Sequence, residues 1–236
     1  MKEANCKICQ DSGWVLIKVK EKEIARPCKC RQNDSQSLKI DSANFPPRFL
    51  GAEIKDYTPD KNNETQEKAK DECTKFVKEF LPRSLKGLLI QGPTGVGKTR
   101  LVCSIGNELI KKKNIDVFYI DWNDLTREMR SGEDTSNRDF SIISQIIQRM
   151  ATVELLLFDE VGSSRPSPWV LDNIYYIINR RYNEYLTTIF ASNYFDDTIS
   201  NPETLTERIG QRIRSRLYEM TRTIKINGKD FRQEHY

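Results

Sequence analysis

The clearest chemistry in the chain sits in eight consecutive residues, Gly92-Pro93-Thr94-Gly95-Val96-Gly97-Lys98-Thr99. They fit the pattern G-x-x-x-x-G-K-[ST]. Its glycines let backbone N–H groups close on a phosphate, its lysine reaches the β- and γ-phosphates, and its hydroxyl binds Mg²⁺. A helix starting at the loop adds the positive end of its dipole. Arg100, the next residue, is grouped with these phosphate contacts.

Other residues complete a hydrolytic set. The apolar run Leu155-Leu156-Leu157-Phe158 ends in Asp159-Glu160. Asp159 is read as a Mg²⁺ ligand, directly or through water, and Glu160 as the general base that polarises the attacking water. Asn193 closes the run Thr187–Ser192 and can orient that water. Between Glu207 and Leu217, Arg208, Arg212 and Arg216 follow at i, i+4 and i+8, with Ile209, Ile213 and Leu217 on another face. Such a stripe is either a solvated face or the source of an arginine finger acting in a neighbour's site.

Four of the six cysteines fall in the first 30 residues, as Cys6-x₂-Cys9 and Cys28-x-Cys30. Four thiolates make a closed tetrahedral Zn²⁺ site, hence a structural one. A segment of this size, with few core residues, needs such a staple. A Cys-x₂-Cys redox pair is the other reading, and it leaves Cys28-x-Cys30 unexplained. His235 is remote and given no metal role; Cys73 and Cys103 lie on apolar helix faces and are read as core.

The elements that must position these groups follow from periodicity. Gly13–Val19 reads as a strand with Glu23–Arg26 as its return. Residues 31–44 are loop-like or weakly helical, and Pro46-Pro47 stops any helix there. Asn62–Leu81 has helical spacing, with Asn62 or Asn63 as cap. Strands are then expected at Gly87–Gln91, Asp116–Ile120, Val153–Asp159 and Thr187–Ser192. Helices are expected between them at Lys98–Lys112, Trp122–Arg130, Phe140–Met150 and Pro168–Tyr185. A helix at about Pro202–Tyr218 and a strand at Thr223–Ile226 end the pattern. Strand–helix alternation implies an α/β fold, a parallel sheet with helices on both faces. The division expected is 1–40, a small zinc-binding domain; 41–61, a linker; and 62–236, the nucleotide-binding domain.

Composition bounds the rest. Of 236 residues, 37% are hydrophobic and 31% charged, with a net charge of +4. Residues 1–40 hold nine Lys/Arg against five Asp/Glu and residues 205–236 eight against four, around a mildly acidic middle. Two basic ends are either ordinary surface or two places that meet anions. No apolar run approaches the ~20 residues that span a bilayer, and no signal peptide is evident. The expectation is a cytoplasmic protein, in which cysteines serve metals, catalysis or cores more often than disulfides.

Taken together, the loop, the Asp159-Glu160 pair, Asn193 and the late arginine tract resemble an AAA+ ATPase over residues ~45–236. More narrowly, the chain resembles replicative helicase loaders of the DnaC/DnaI type within the IstB-like ATPases. That likeness rests on Phe45-Pro46-Pro47-Arg48-Phe49, Ile178-Asn179-Arg180-Arg181-Tyr182, Arg212-Ile213-Arg214-Ser215-Arg216-Leu217 and Gly228-Lys229-Asp230-Phe231-Arg232. It implies ATP and Mg²⁺ at Lys98, Thr99, Asp159 and Glu160, Asn193 as sensor, and Arg216, then Arg212, as arginine finger. It also implies an N-terminal Zn²⁺ domain that grips a hexameric helicase, ATP-dependent self-association, and single-stranded DNA contacts that match Arg130, Ser167 and Trp169 loosely. Only 43 residues follow Asn193, too few for a helical lid domain, so weak hydrolysis by the monomer is expected. The alternatives are a transposition helper ATPase of the IstB type, a small-molecule P-loop kinase, and a nucleotide-binding adaptor with little turnover.

Overall fold

A computed structural model describes residues 6–19, 22–131, 139–196 and 203–233. Pro202 and His235 lie outside the described residues.

The N-terminal unit is an antiparallel hairpin, β1 (Trp14–Val19) and β2 (Lys22–Pro27), with Trp14 opposite Pro27. It leads into helix α1 (Lys29–Ser42). The stretch expected to be loop-like or weakly helical is thus a regular helix, and the division expected at residue 40 falls inside it. α1 escaped periodicity because it has almost no apolar stripe; polar contacts dock it instead. Gln36 Nε2 donates to the Lys111 carbonyl at 2.9 Å, and Lys39 Nζ donates to the Asn114 carbonyl. Residues 41–61 also pack against the main body: Ala43, Phe45, Ile54 and Tyr57 are buried.

The rest is three layers. Helix α2 (Glu64–Glu79) is capped by Asn63, whose side chain accepts from the Thr65 and Gln66 N–H groups, satisfying donors that a helix start leaves unpaired. Then come β3 (Gly87–Gln91), α3 (Lys98–Lys113), β4 (Val117–Asp121), α4 (Trp122–Ser131), α5 (Asp139–Thr152), β5 (Leu155–Asp159), α6 (Pro168–Asn183) and β6 (Thr187–Ser192). Helices α7 (Leu205–Ile209) and α8 (Gln211–Met220) and strand β7 (Thr221–Lys225) follow. The five core strands form one parallel sheet, ordered β4-β5-β6-β3-β7. Strands β3 to β6 are largely buried because both faces are covered, whereas the edge strand β7 buries only Ile224. Alternate residues feed opposite cores: Leu88, Ile90, Leu155 and Leu157 pack on the α2/α3 side, and Leu89, Leu156, Phe158 and Phe190 on the side of α4–α8.

The single helix expected at about 202–218 is two helices. Gly210, at φ +81°, breaks it, and a capping box between Thr204 and Glu207 starts the first piece. The arginine stripe is broken with it: Arg208 lies on α7, Arg212 and Arg216 on α8. Ile209, Ile213 and Leu217 are nevertheless all buried. Strand β4 starts one residue later than expected: the Asp116 N–H donates to Glu154 Oε2 at 2.7 Å rather than to a neighbouring strand, and its carboxylate is forked by Arg149, with both N–O distances 2.6 Å.

Arg181 ties the second layer together from inside. Fully buried, its guanidinium donates to the carbonyls of Met150, Val153 and Thr187 and to Thr188 Oγ1, at 2.6–2.8 Å. Burial depresses its pKa to about 9. Replacing Arg181 with Met keeps the length but strands three buried carbonyls, each worth about 1–3 kcal/mol. Thermal or urea unfolding should show a loss of about 3 kcal/mol or more, against at most about 0.5 kcal/mol for Arg180→Met, whose contacts are partly exposed. Equal effects would exclude this role for Arg181.

Candidate nucleotide site and cysteine cluster

The sheet places its chemistry at one edge. From β3 the chain crosses to β4 at the far edge, returns through β5 and β6, and then passes β3 to β7 on its other side. That reversal opens a crevice at the carboxyl ends of the strands, where ligands of such sheets bind. Short backbone bonds hold the strand-end loops in register. Gly92 N donates to the Ser192 carbonyl at 3.2 Å and Val161 N to the Ala191 carbonyl at 2.8 Å. Ser192 Oγ donates to the Val161 carbonyl at 2.7 Å. The end of β6, and with it Asn193, is thereby fixed between the loop and the Asp159-Glu160 turn.

Inside the loop, Lys98 is buried and its Nζ donates to the Gly92 and Pro93 carbonyls at 2.8 and 2.7 Å. Burial pulls its pKa down to about 8, against the opposing pull of Asp159 and Glu160. Two glycines are required by contact and conformation together. A Cβ on Gly95 (φ +83°) would fall 1.8 Å from Asp230 Oδ1, and one on Gly97 (φ +91°) 2.6 Å from the Tyr57 ring.

Asp159 is 1% exposed and both its oxygens are engaged: Tyr119 O–H donates to Oδ2 at 3.0 Å and Glu160 N–H to Oδ1 at 2.9 Å. Glu160 takes the left-handed backbone conformation, φ +51°, which turns the chain away from the strand directly after Asp159. Its carboxyl is held above the usual range, chiefly by burial and then by Asp121 and Asp159. Asn123 Nδ2 donates weakly to it at 3.5 Å. Asp121 is a member of this acidic group that the sequence reading missed; it ends β4 beside Asp159 in the ladder.

A cavity of about 640 Å³ opens beside the loop, lined by Gly95, Gly97, Lys98, Thr99 and Arg100. Its other wall comes from elements remote in sequence: Arg48 and Phe49, Tyr57 and Thr58, and Phe231 and Arg232. Tyr57 O–H donates to the Val96 carbonyl at 3.0 Å, and its ring meets Phe231 edge-on at 6.2 Å. The motifs around Phe49 and Phe231 stand out in the sequence, but nothing there says that both reach the loop; Tyr57 carries no signal at all.

The arginine candidates lie on the layer opposite α3. The Arg212 guanidinium sits 4.1 Å over the Tyr175 ring, and Arg216 4.3 Å over Tyr182, both rings on α6. Arg214, not singled out before, is the buried one and forks Asp196, with Nε donating to Oδ1 at 2.7 Å. Arg130 Nη2 donates to the Arg165 carbonyl at 2.9 Å, Ser167 Oγ caps α6 by accepting from Val170 N–H at 3.3 Å, and the Trp169 side chain is exposed.

The four N-terminal cysteines converge. Cys6 Sγ lies 3.8 Å from Cys28 Sγ, Cys9 Sγ 3.4 Å from Cys30 Sγ, and all four sulfurs lie within 4.8 Å of one another. Sulfurs around a tetrahedral Zn²⁺ at about 2.3 Å stand about 3.8 Å apart, so the set fits that ion. Backbone N–H groups of Cys9 and Ile8 pull the Cys6 thiol down to about 7, while the Cys9 sulfur and burial push Cys30 up to about 12. Among the described residues, no helix is long and apolar enough to cross a membrane.

The family described as IstB-like ATP binding protein matches residues 7–236. The phage-like element PBSX protein XkdC of Bacillus subtilis (strain 168) is 23% identical over 227 residues, covering 92% of this chain and 79% of that protein. The replicative helicase loader DnaI of the same organism is 26% identical over 168 residues, 67% of this chain and 52% of that protein. The chain therefore matches about half of that loader's length. A crystal structure of the DnaC helicase loader superposes with a TM-score of 0.65 at 29% identity, over 77% of this chain and 99% of that one. Sheet, loop and flanking helices are those of the P-loop AAA+ fold.

If the Lys98 ammonium is what a bound polyphosphate meets, its pKa near 8 sets a pH dependence. Below 8 the lysine is charged; above it, binding must first take up a proton. Nucleotide affinity should fall by about tenfold between pH 7 and pH 9. A titration showing equal affinity at both pH values would refute this assignment.

Proposed function

The chain belongs to the family of IstB-like ATP binding proteins, and from that premise we propose that it loads a replicative DNA helicase onto single-stranded DNA, with ATP as the switch. The observation that carries the catalytic part is the meeting of buried Lys98, Asp159 and raised Glu160 at one sheet edge. ATP's phosphates take the loop's N–H groups from Thr94, Gly95, Val96 and Gly97, the Lys98 ammonium and the start of α3, with Arg100 beside them; Gly92 and Pro93 shape the loop's entry, since the Gly92 N–H is held by the Ser192 carbonyl and Pro93 has none. Thr99 and Asp159 would hold Mg²⁺, which neutralises phosphate charge. Asp159 is well suited to this because its two hydrogen bonds fix the carboxylate. Glu160 takes a proton from the attacking water, and its raised proton affinity suits a base working near neutral pH. Asn193 orients that water. Arg216, with Arg212 second, serves the site of a neighbouring copy, so a filled site favours assembly and hydrolysis favours release.

The Cys6, Cys9, Cys28 and Cys30 unit is proposed as a structural Zn²⁺ domain, residues 1–40, that docks on the helicase. The exposed apolar side chains of Ile8, Trp14, Leu16 and Ile24 support a docking role. Residues 41–61, expected as a linker, pack on the nucleotide-binding body 62–236 and are taken as part of it. Arg130 and exposed Trp169 are proposed as single-stranded DNA contacts, Trp169 by stacking on bases; Ser167 is the weakest member of that set, since its hydroxyl already caps α6. The work is placed in the cytoplasm. A transposition helper is the second reading, because the family's description covers IstB-like proteins at large. Co-purification with a hexameric helicase rather than a transposase separates the two.

Two measurements test the assignment directly. Glu160→Gln should lower ATP hydrolysis by about 100-fold or more while ATP-dependent self-association persists; unchanged hydrolysis would mean that Glu160 is not the base. Elemental analysis of the purified protein should give close to one Zn²⁺ per chain, and a content below about half an equivalent would rule out the tetrathiolate site.

A further inference from the structure

After β7 the chain turns back over the phosphate loop. Ile226 N donates to the Gln91 carbonyl at 2.7 Å, and Phe231 N to the Gly95 carbonyl at 3.2 Å. The Asp230 side chain lies directly on Gly95, where any Cβ would collide with it. A tight turn then forms, with Arg232 N donating to Asp230 Oδ1 at 2.9 Å and Gln233 N to the Asp230 carbonyl at 3.0 Å. The turn delivers the Arg232 side chain to the cavity that also exposes Lys98 and Thr99. Arg232 makes no ion pair among the described residues. Its charge is felt by Lys98 in the loop and by Glu160 after β5. Asp56 lines the same cavity and Asp230 accepts from the Arg232 backbone N–H, but neither carboxylate is ion-paired with the guanidinium.

A guanidinium brought to a phosphate loop without a carboxylate partner is built to meet an anion. Its planar fork matches phosphate oxygens. We infer that Arg232 is a phosphate-binding residue, held in cis by a turn anchored on the loop itself, and that it contacts the terminal phosphates of the nucleotide. This rests on the reading of the loop as the ATP site. It also gives the tail a function: the turn keeps its place because Gly95 has no side chain, so loop and arginine are positioned by one contact. Phe231, against Tyr57, walls the same cavity and carries no charge of its own.

The test uses the full chain and three ligands: a non-hydrolysable ATP analogue, ADP and adenosine. Arg232 is exposed, so its truncation leaves the core intact. Arg232→Ala should weaken the ATP analogue by about tenfold or more, the effect of losing a hydrogen-bonded charge, ADP by less, and adenosine not at all. Arg232→Lys should restore only part of the loss, because it keeps the charge but not the planar fork. An equal loss for all three ligands, or no loss, would overturn the inference. Lys98→Ala measured in parallel separates the two levels. If the wild type binds the analogue and Lys98→Ala does not, the loop is the site and the Arg232 result stands alone. If Lys98→Ala binds like the wild type, the site reading itself fails.

Discussion

A buried ammonium has to be met by oxygen atoms on every side, and Lys98 imposes that demand at the centre of the sheet. Its two short bonds go to carbonyls of its own loop, and the nearest opposite charges come from another strand end, Asp159 and Glu160. Both sources must act on one ammonium, so β3, β5 and the intervening β6 have to end at the same level. The parallel register does this: Gln91 pairs with Ser192, Phe190 with Phe158, and Asp159 with Asp121. The apolar strands that feed both cores are thus also the rulers that set the height of the polar groups.

The same constraint reaches outward through the loop's backing. A phosphate loop can wrap closely only if its glycines stay bare, and here the space that a side chain would take is filled by Tyr57 at Gly97 and by Asp230 at Gly95. Two segments separated by about 170 residues of chain thereby become walls of one cavity. Changes in the packing of Phe231 against Tyr57 would be felt at the loop without any change in the loop's own sequence.

Elsewhere, charge is handled by burial or by stacking. Arg181 and Arg214 are buried and meet their partners inside, carbonyls for one and Asp196 for the other. Arg212 and Arg216 lie over tyrosine rings of α6, and Arg216 also faces Glu219 at 3.8 Å. The N-terminal unit has too small a core to hold itself together. Its four sulfurs gather at one point, and α1 fixes it to α3 by polar contacts.

The features legible in the amino-acid sequence are local ones. The loop G-x-x-x-x-G-K-T, the apolar runs that become strands, the carboxylate pair at the end of β5 and the paired cysteines are each written in a few adjacent residues, because their chemistry or their burial demands particular types at fixed spacing. The alternation of strand and helix likewise fixed the fold class. Tertiary structure decided the rest, where partners come from distant segments or where geometry is set by a single backbone angle. Gly210 divides the last helix and splits the arginine stripe, through a φ that no spacing reveals. Helix α1 has no apolar period to be read and is held by contacts with a helix some 75 residues away. The second wall of the nucleotide cavity is assembled from Phe49, Tyr57 and Phe231: only a folded sheet, with residues 48–58 and 231–232 brought to the same edge, carries those side chains to the loop.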